Sequence, residues 1–247
     1  MNIKINFYHK LLLSQKLTNK LNDVELIDKA LRQNYLVTFI NPYSIHKITA
    51  AKKEDLLLKF DLLLVDGILL VFVISILKKL KVIRRSFDMT SLAKILFLKL
   101  SKTNESVFLL GTNEQNIKFA VKNIRLHFKT LNIVGFSQGY FNTIEEKNTI
   151  IKKILKLNPQ IIIVGMGSIK QEEFLIELKA EGWKGTGFTC GAFLEQTAKQ
   201  IYFYPKIFNR LNLRWLYRIL NKPELISRYF FIYPKELLRI IFFLLKI

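Results

Sequence analysis

Cysteine occurs once in this chain of 247 residues, at Cys190, so no intrachain disulfide can form and no cysteine-rich metal site can be built. The three histidines, His9, His46 and His127, are scattered without the spacing of metal ligands, which excludes a histidine metal site. No Walker lysine motif occurs, and the G-x-G at Gly165 to Gly167 lacks the third glycine of a dinucleotide fingerprint; both absences count against ATP and NAD chemistry. Long clean hydrophobic runs are missing as well. The longest, Leu62 to Leu77, contains Asp66 and Gly67 and falls short of the roughly 18 to 20 apolar residues of a spanning helix. The last segment is broken by Pro234, Lys235, Glu236 and Arg239. The opening MNIKINFYHKLLLSQKL has neither a sustained apolar h-region nor a small-residue cleavage site, so the expectation is a chain without a secretory signal, held in the cytosol. Long-period repeats and low-complexity linkers are absent too.

Half of the residues are hydrophobic, enough for one large domain with an appendage. Short apolar runs alternate with helical patterns, the signature of a parallel sheet with crossover helices. Strands are predicted over 35–40, 61–65, 106–110, 132–136, 160–164 and 184–189. Helices are predicted from about Tyr43, over 68–80, 112–129 and 143–157, and over 169–181. In the helix 112–129, Ile117, Ala120, Val121, Ile124 and Phe128 form a core stripe, and Lys118, Lys122, Asn123 and Arg125 form a solvated face. The expected fold class is α/β, a Rossmann-like parallel sheet with a basic, aromatic-rich helical C-terminal appendage. A composition shift near Glu195 divides a core at 1–195 from an appendage at 196–247.

The stretch Ile161 to Glu173, IIIVGMGSIKQEE, reads as a buried strand that stops at two glycines and is followed by a helix start. Ser168 with Gln171 has the spacing of a capping box, as does Thr112 with Gln115. A helix N-terminus at the carboxyl end of a parallel strand favours an anion, which points to a phosphate-bearing ligand. Gln171 then reads either as part of the cap or as an amide at the ligand mouth, with Glu172 and Glu173 as solvated first-turn acids. Asp66, directly after FDLLLV, reads either as a general base whose pKa is raised by burial or as a cap for the next helix. Arg84 and Arg85 follow Lys78, Lys79 and Lys81; they read either as a solvated basic face or as a grip on a diphosphate.

Basic residues outnumber acids 39 to 19, a formal net charge of +20, and such a charge calls for an anionic partner. From Gln196 onward there are ten basic residues against Glu224 and Glu236, interleaved with aromatics such as Tyr202, Phe208, Trp215, Tyr229, Phe230 and Phe242. Three readings stand: a membrane-surface segment, buried core helices, or a nucleic-acid binder. The closing run IIFFLLKI favours an anionic membrane surface over nucleic acid, because aliphatic bulk suits acyl chains better than bases.

An ordered set of motifs adds to this reading: NPYSI at 41–45, VDG at 65–67, RRSFDMTSLA at 84–93, VFLLG at 107–111, GYF at 139–141, VGMGSIKQEEF at 164–174, GAF at 191–193 and RWLYR at 214–218. From about Tyr35 to Tyr229 the chain resembles the WecG/TagA/CpsF glycosyltransferases. The resemblance implies an inverting enzyme, independent of metal and cofactor. Such an enzyme moves an N-acetylmannosamine-type sugar from UDP to a polyprenyl-diphosphate-linked N-acetylglucosamine on the inner face of the bacterial cytoplasmic membrane. It implies Asp66 as base and Thr38, Asn41, Arg84, Gly111, Gly165, Gly167, Gln171, Glu172, Arg214, Arg218 and Arg228 as substrate-binding residues. Three departures stand out. Ile169 takes the place of a proline, Thr38 sits one position early in the T-x-N-P motif with Phe39 next to it, and Leu194 replaces an acid with Glu195 following. These departures bear on donor choice. The competing class is a basic Rossmann-like nucleotide- or RNA-binding protein without catalysis, and the apolar tail leaves self-association open without fixing a number.

Overall fold

A computed structural model of the chain describes residues 2–246; Met1 and Ile247, the outermost residues of the two terminal stretches read above, lie outside the described residues. The elements run α1 (Asn2–Thr18), α2 (Asp23–Arg32), β1 (Leu36–Ile40), α3 (Pro42–Ala50), α4 (Glu54–Leu58), β2 (Leu62–Val65), α5 (Ile68–Lys78), α6 (Leu92–Thr103), β3 (Val107–Gly111), α7 (Glu114–His127) and β4 (Ile133–Ser137). There follow α8 (Ile144–Leu157), β5 (Ile161–Gly165), α9 (Lys170–Ala180), β6 (Thr186–Thr189), α10 (Phe193–Lys199), α11 (Lys206–Arg210), α12 (Arg214–Asn221), a 3-10 turn at Pro223–Leu225, a π-helical turn at Arg228–Ile232, and α13 (Tyr233–Leu245).

The six strands form one sheet in the order β2-β1-β6-β5-β3-β4, with every pairing parallel. Because strand side chains alternate, each apolar run feeds two cores. Leu62 and Leu64, Val107 and Leu109, and Ile161 and Ile163 face one layer, made by α2, α6, α7 and α10. Leu63 and Val65, Phe108 and Leu110, and Ile162 and Val164 face the other, where α1, α3, α5, α8, α9 and α13 pack. Burying each such Leu, Ile or Val contributes about 1.5–3 kcal/mol, which is why branched aliphatics fill these strands.

Each strand read from the sequence is present, with ends shifted by one or two residues. Helices α1, α2, α4 and α6 lie outside the ranges that the alternating pattern predicts. Two helix starts also differ from the predicted caps. Asn113, not Thr112, caps α7, its side chain accepting the Asn116 N–H at 2.8 Å, while Thr112 adopts φ +50°. The α7 stripe is core as expected, but Asn123 on its other side is not simply solvated; its amide donates to the Thr197 and Ala198 carbonyls and ties α7 to α10.

The C-terminal region divides its apolar residues between core and surface. Ile240 and Leu244 of α13 are fully buried in the second layer, and Phe243 stacks on Tyr8 at 5.3 Å. Leu238, Phe242 and Leu245 of the same helix remain exposed. No helix among the described residues is long and apolar enough to cross a membrane.

Candidate active site

Neighbouring strands β1 and β6 send their following helices, α3 and α10, to opposite faces of the sheet. Such a change of side opens a crevice at the carboxyl ends of the strands. A cavity of 510 Å³ occupies that place, with Asn41 after β1, Asp66 after β2, Gly167 and Gln171 after β5, and Thr189 and Gly191 at β6 in its wall. The opposite wall comes from the C-terminal region: Tyr204, Arg214, Trp215, Arg218, Arg228, Tyr229, Phe230 and Tyr233.

Asp66 is fixed by its backbone. Its N–H donates to the Ile40 carbonyl at 2.8 Å, extending the β1–β2 ladder by one residue. Gly67, at φ +112°, then turns the chain sharply into α5, a conformation that disfavours any side chain. Helix α5 starts without a side-chain cap, so the Asp66 carboxylate is not spent on its N-terminus. The Arg85 N–H donates to the Val65 carbonyl at 2.9 Å and lays residues 84 and 85 alongside β2. That brings Arg84 Nε to 3.5 Å from Asp66 Oδ1. About 31% of the Asp66 side chain faces the cavity and protein surrounds the rest. Burial pushes its carboxyl above the ordinary range, and the pull of Arg84, Arg218 and Arg214 in the other direction does not cancel it.

Arg84 and Arg85 part company. Arg84 lines the cavity, whereas Arg85 is 1% exposed and bonds Asp23 Oδ1 at 2.8 Å and the Leu21 carbonyl at 2.7 Å, not a solvated residue but a strut between α2 and the sheet.

The start of α9 also differs from the expected box. Ser168 does not cap it; Ile169 adopts φ +80° and its N–H donates to Glu172 Oε2 at 2.7 Å. A proline at 169 could not make this bond. Glu172 is therefore no solvated first-turn acid. It is 1% exposed, with Oε1 accepting from Thr38 Oγ1 at 3.0 Å and from Gln171 Nε2 at 2.9 Å. Gln171 Oε1 in turn accepts the Gly191 N–H at 3.1 Å. A buried chain thus runs from Thr189 through Thr38 and Glu172 to Gln171, and burial raises the Glu172 pKa against those hydrogen bonds. Glu173 points elsewhere and pairs with Lys53.

Of the residues named from the sequence, Asn41, Asp66, Arg84, Gly167, Gln171, Arg214, Arg218 and Arg228 line the cavity. Thr38, Gly111, Gly165 and Glu172 do not. Thr38 faces α9, on the strand side opposite Phe39, which does reach the cavity. Gly111 and Gly165 lie where β3 and β5 touch; a Cβ on Gly111 would stand 2.4 Å from the Gly165 carbonyl oxygen, so packing requires glycine there. Asn41 caps α3, accepting the Tyr43 and Ser44 N–H groups at 3.0 and 3.1 Å.

The three C-terminal arginines differ in what they already hold. Arg214 NH1 donates to Asp88 Oδ2 at 2.7 Å and to Ser86 Oγ at 3.3 Å, Nε donates to Asn209 Oδ1 at 2.6 Å, and NH2 reaches Thr90. Every nitrogen of its guanidinium is engaged by protein. For Asp88, burial favours the neutral form, but Arg214 and the hydrogen bonds from Ser86 and Thr90 outweigh it and hold the carboxyl below the ordinary range. The guanidinium carbon of Arg228 sits over the Tyr43 ring, 3.9 Å from its centroid, and the side chain donates to Tyr233 Oη at 3.3 Å, while its Nε is buried without a partner. Arg218 sits among Tyr204, Tyr229 and Tyr233 within the field of Asp66. Sequence reasoning missed Asp88, Tyr43, Tyr204 and Tyr233; Asp88 and Tyr43 had a signal, inside the RRSFDMTSLA and NPYSI runs quoted for the resemblance.

The sequence matches the Glycosyl transferase WecG/TagA/CpsF family over residues 13–246. The chain belongs to this family. A relative from Shigella boydii, named UDP-Gal:alpha-D-GlcNAc-diphosphoundecaprenol beta-1,4-galactosyltransferase, is 37% identical over 206 residues, covering 83% of this chain and 85% of its own. A second, the N-acetylglucosaminyldiphosphoundecaprenol N-acetyl-beta-D-mannosaminyltransferase of Bacillus subtilis (strain 168), is 27% identical over 123 residues, 50% of this chain and 47% of its own. The chain is accordingly a glycosyltransferase, and the reading as a non-catalytic binding module falls away. No cluster of three or more His, Cys, Asp or Glu side chains suited to a metal ion occurs among the described residues.

Proposed function

We propose that this glycosyltransferase moves a hexose from a UDP-sugar onto an N-acetylglucosamine carried by a polyprenyl diphosphate, with inversion at the anomeric carbon. The observation that carries this is Asp66, a carboxylate of raised pKa on the wall of a cavity that also collects Arg84, Arg218 and Arg228. An inverting displacement needs one base for the acceptor hydroxyl and cations for the departing diphosphate, and this set supplies both. Asp66 takes the proton of the attacking hydroxyl as the new bond forms to the anomeric carbon; the bond to the UDP oxygen breaks, and UDP leaves with the electron pair. Common UDP-hexoses are α-linked, and both relatives' names specify β-linked products, which supports inversion. The N-terminus of α9, presenting Gly167 and Ser168, adds N–H donors for the diphosphate.

Arg218 and Arg228 are assigned to the diphosphate because their guanidiniums retain donor capacity at the cavity. Arg214 is assigned instead to holding α12 against the Ser86–Thr90 loop. Residues 196–247 form the appendage that closes the cavity and attaches the enzyme peripherally to the cytoplasmic face of the membrane, where its acceptor lies. For the donor, galactose stands first, supported by the relative that is 37% identical over most of the chain. N-acetylmannosamine is the second reading, supported by the Bacillus relative. Mass spectrometry of a prenyl-diphospho-N-acetylglucosamine analogue after incubation with a panel of UDP-sugars tests both. A hexose increment supports galactose and an N-acetylhexosamine increment supports mannosamine. Asp66→Asn is expected to slow transfer by about 10²–10⁴-fold. Full activity in that variant would remove Asp66 as base.

A further inference from the structure

Helix α5 begins two residues after Asp66 and carries no charged residue until Lys78. Its buried side is accounted for: Leu70 and Ile74 sit in the core beneath it. Its other side is not. Ile68, Phe72 and Ile76, one turn apart, are 41%, 62% and 56% exposed, with Leu69 beside them. A soluble surface rarely leaves such a stripe bare without a partner. Helix α13 packs against α5 and carries its own exposed apolar stripe of Leu238, Phe242 and Leu245. The α5 stripe reaches the cavity, because Ile68 and Leu69 line it, as does Phe230 in the π-helical turn that leads into α13.

The geometry points to α5 as a bilayer-seating element: its exposed face joins α13 in lying on an anionic membrane surface, with the mouth of the catalytic cavity opening toward the acyl region. This inference rests on the lipid-linked acceptor proposed above and adds to it a surface in the α/β core, outside the appendage. Charge selects the occupant. Lys78, Lys79 and Lys81 follow the α5 stripe, and Lys235, Arg239 and Lys246 flank the α13 stripe. Apolar faces rimmed by cations fit acyl chains below anionic headgroups. At 11 residues, and about 1.5 Å per residue, α5 is too short to span a bilayer and would lie in its plane.

The test is co-sedimentation of the full chain with phosphatidylglycerol-containing vesicles, comparing the native sequence with Phe72→Glu/Ile76→Glu. Phe119→Glu, at an exposed position of α7 on the opposite sheet face, serves as the control. Neither Phe72 nor Ile76 lines the cavity. The α5 variant is expected to lose vesicle affinity by about tenfold or more while Phe119→Glu binds as the native chain. Should the double glutamate fail to fold by circular dichroism, Phe72→Ser/Ile76→Ser reads the same face. Native-like binding by the α5 variant overturns the inference, as does a native chain that ignores the vesicles. A dimer that dissociates in the variant by light scattering, with vesicle binding unchanged, overturns it in favour of a second copy. Transfer to a short-chain, water-soluble acceptor is expected to survive the α5 substitutions. If the native chain transfers sugar to no acceptor, the catalytic reading fails by itself, because vesicle binding is scored independently.

Discussion

Removing the Arg214–Asp88 pair separates a structural clamp from a substrate ligand. The two side chains meet at 2.7 Å and are 14% and 13% exposed, so solvent screens them little. Charge centres about 4 Å apart at an effective dielectric near 20 attract by about 4 kcal/mol, from which desolvation subtracts. A coupling energy of about 2–3 kcal/mol is expected from the cycle of Asp88→Asn, Arg214→Met and the double variant in chemical denaturation. Arg214→Met alone should cost more than the coupling, because Asn209, Ser86 and Thr90 lose the same guanidinium. Since the pair joins α12 to the loop before α6, its loss should also open residues 205–222 to proteolysis while the sheet stays folded. Arg214→Lys keeps the charge but cannot reach all four partners, so most of the proteolytic protection should still be lost. A coupling below about 0.5 kcal/mol would refute the clamp. So would an Arg214→Met enzyme with intact protease resistance and impaired substrate affinity, which is the behaviour of a diphosphate ligand.

The raised Asp66 pKa predicts that kcat/KM falls as pH drops through a value above the ordinary carboxylate range; an acidic limb at or below that range would contradict a buried base. The same shift means that the native state binds this proton more tightly than the unfolded chain does, so stability falls as pH rises from the ordinary value to the raised one. Asp66→Asn should therefore be more stable than the native chain at pH 7 in denaturant titrations, with the gain disappearing in acid. Asp88 acts with the opposite sign: its lowered pKa contributes stability above the unfolded value that is lost as pH falls through the folded one, and Asp88→Asn should flatten that acid dependence. Ile169→Pro removes the N–H that Glu172 accepts at 2.7 Å and demands a negative φ where φ is +80°, at a cost of about 2–4 kcal/mol; unchanged stability would show that this turn is not held by Glu172. Gly111→Ala drives a methyl group to 2.4 Å from the Gly165 carbonyl and should cost about 3 kcal/mol in denaturation, a loss that a loosely packed β3–β5 contact would not show.

The sheet was legible because parallel strands buried on both faces leave uninterrupted aliphatic runs, and 161–165 and 107–111 carry them without ambiguity. Caps were less so. Thr112 and Ser168 have the right residue types at the right spacing, yet Asn113 and Glu172 make the bonds, because a cap is decided by the backbone angle at the turn and not by composition. Asp66 and Gln171 could be placed at the strand ends, since a strand followed by a helix start fixes where the ligand end lies.

What the sequence could not carry is the difference between one arginine and the next. Arg214, Arg218 and Arg228 are alike as letters in a basic aromatic tail; Arg214 differs only because Asp88, 126 positions away, comes to meet it. The same limit governs the apolar residues. Leu70 and Phe72, or Ile240 and Phe242, are near neighbours of similar hydropathy, and only the packing of α5 and α13 against the sheet decides which of each pair is core. A run read as uniformly apolar therefore resolves into a buried half, which stabilises the fold, and a bare half that needs another partner. The bare half of α5 reaches the cavity that holds Asp66 through Ile68 and Leu69, with α13 packed beside it, so the proposed membrane contact would draw on the catalytic core as much as on the tail.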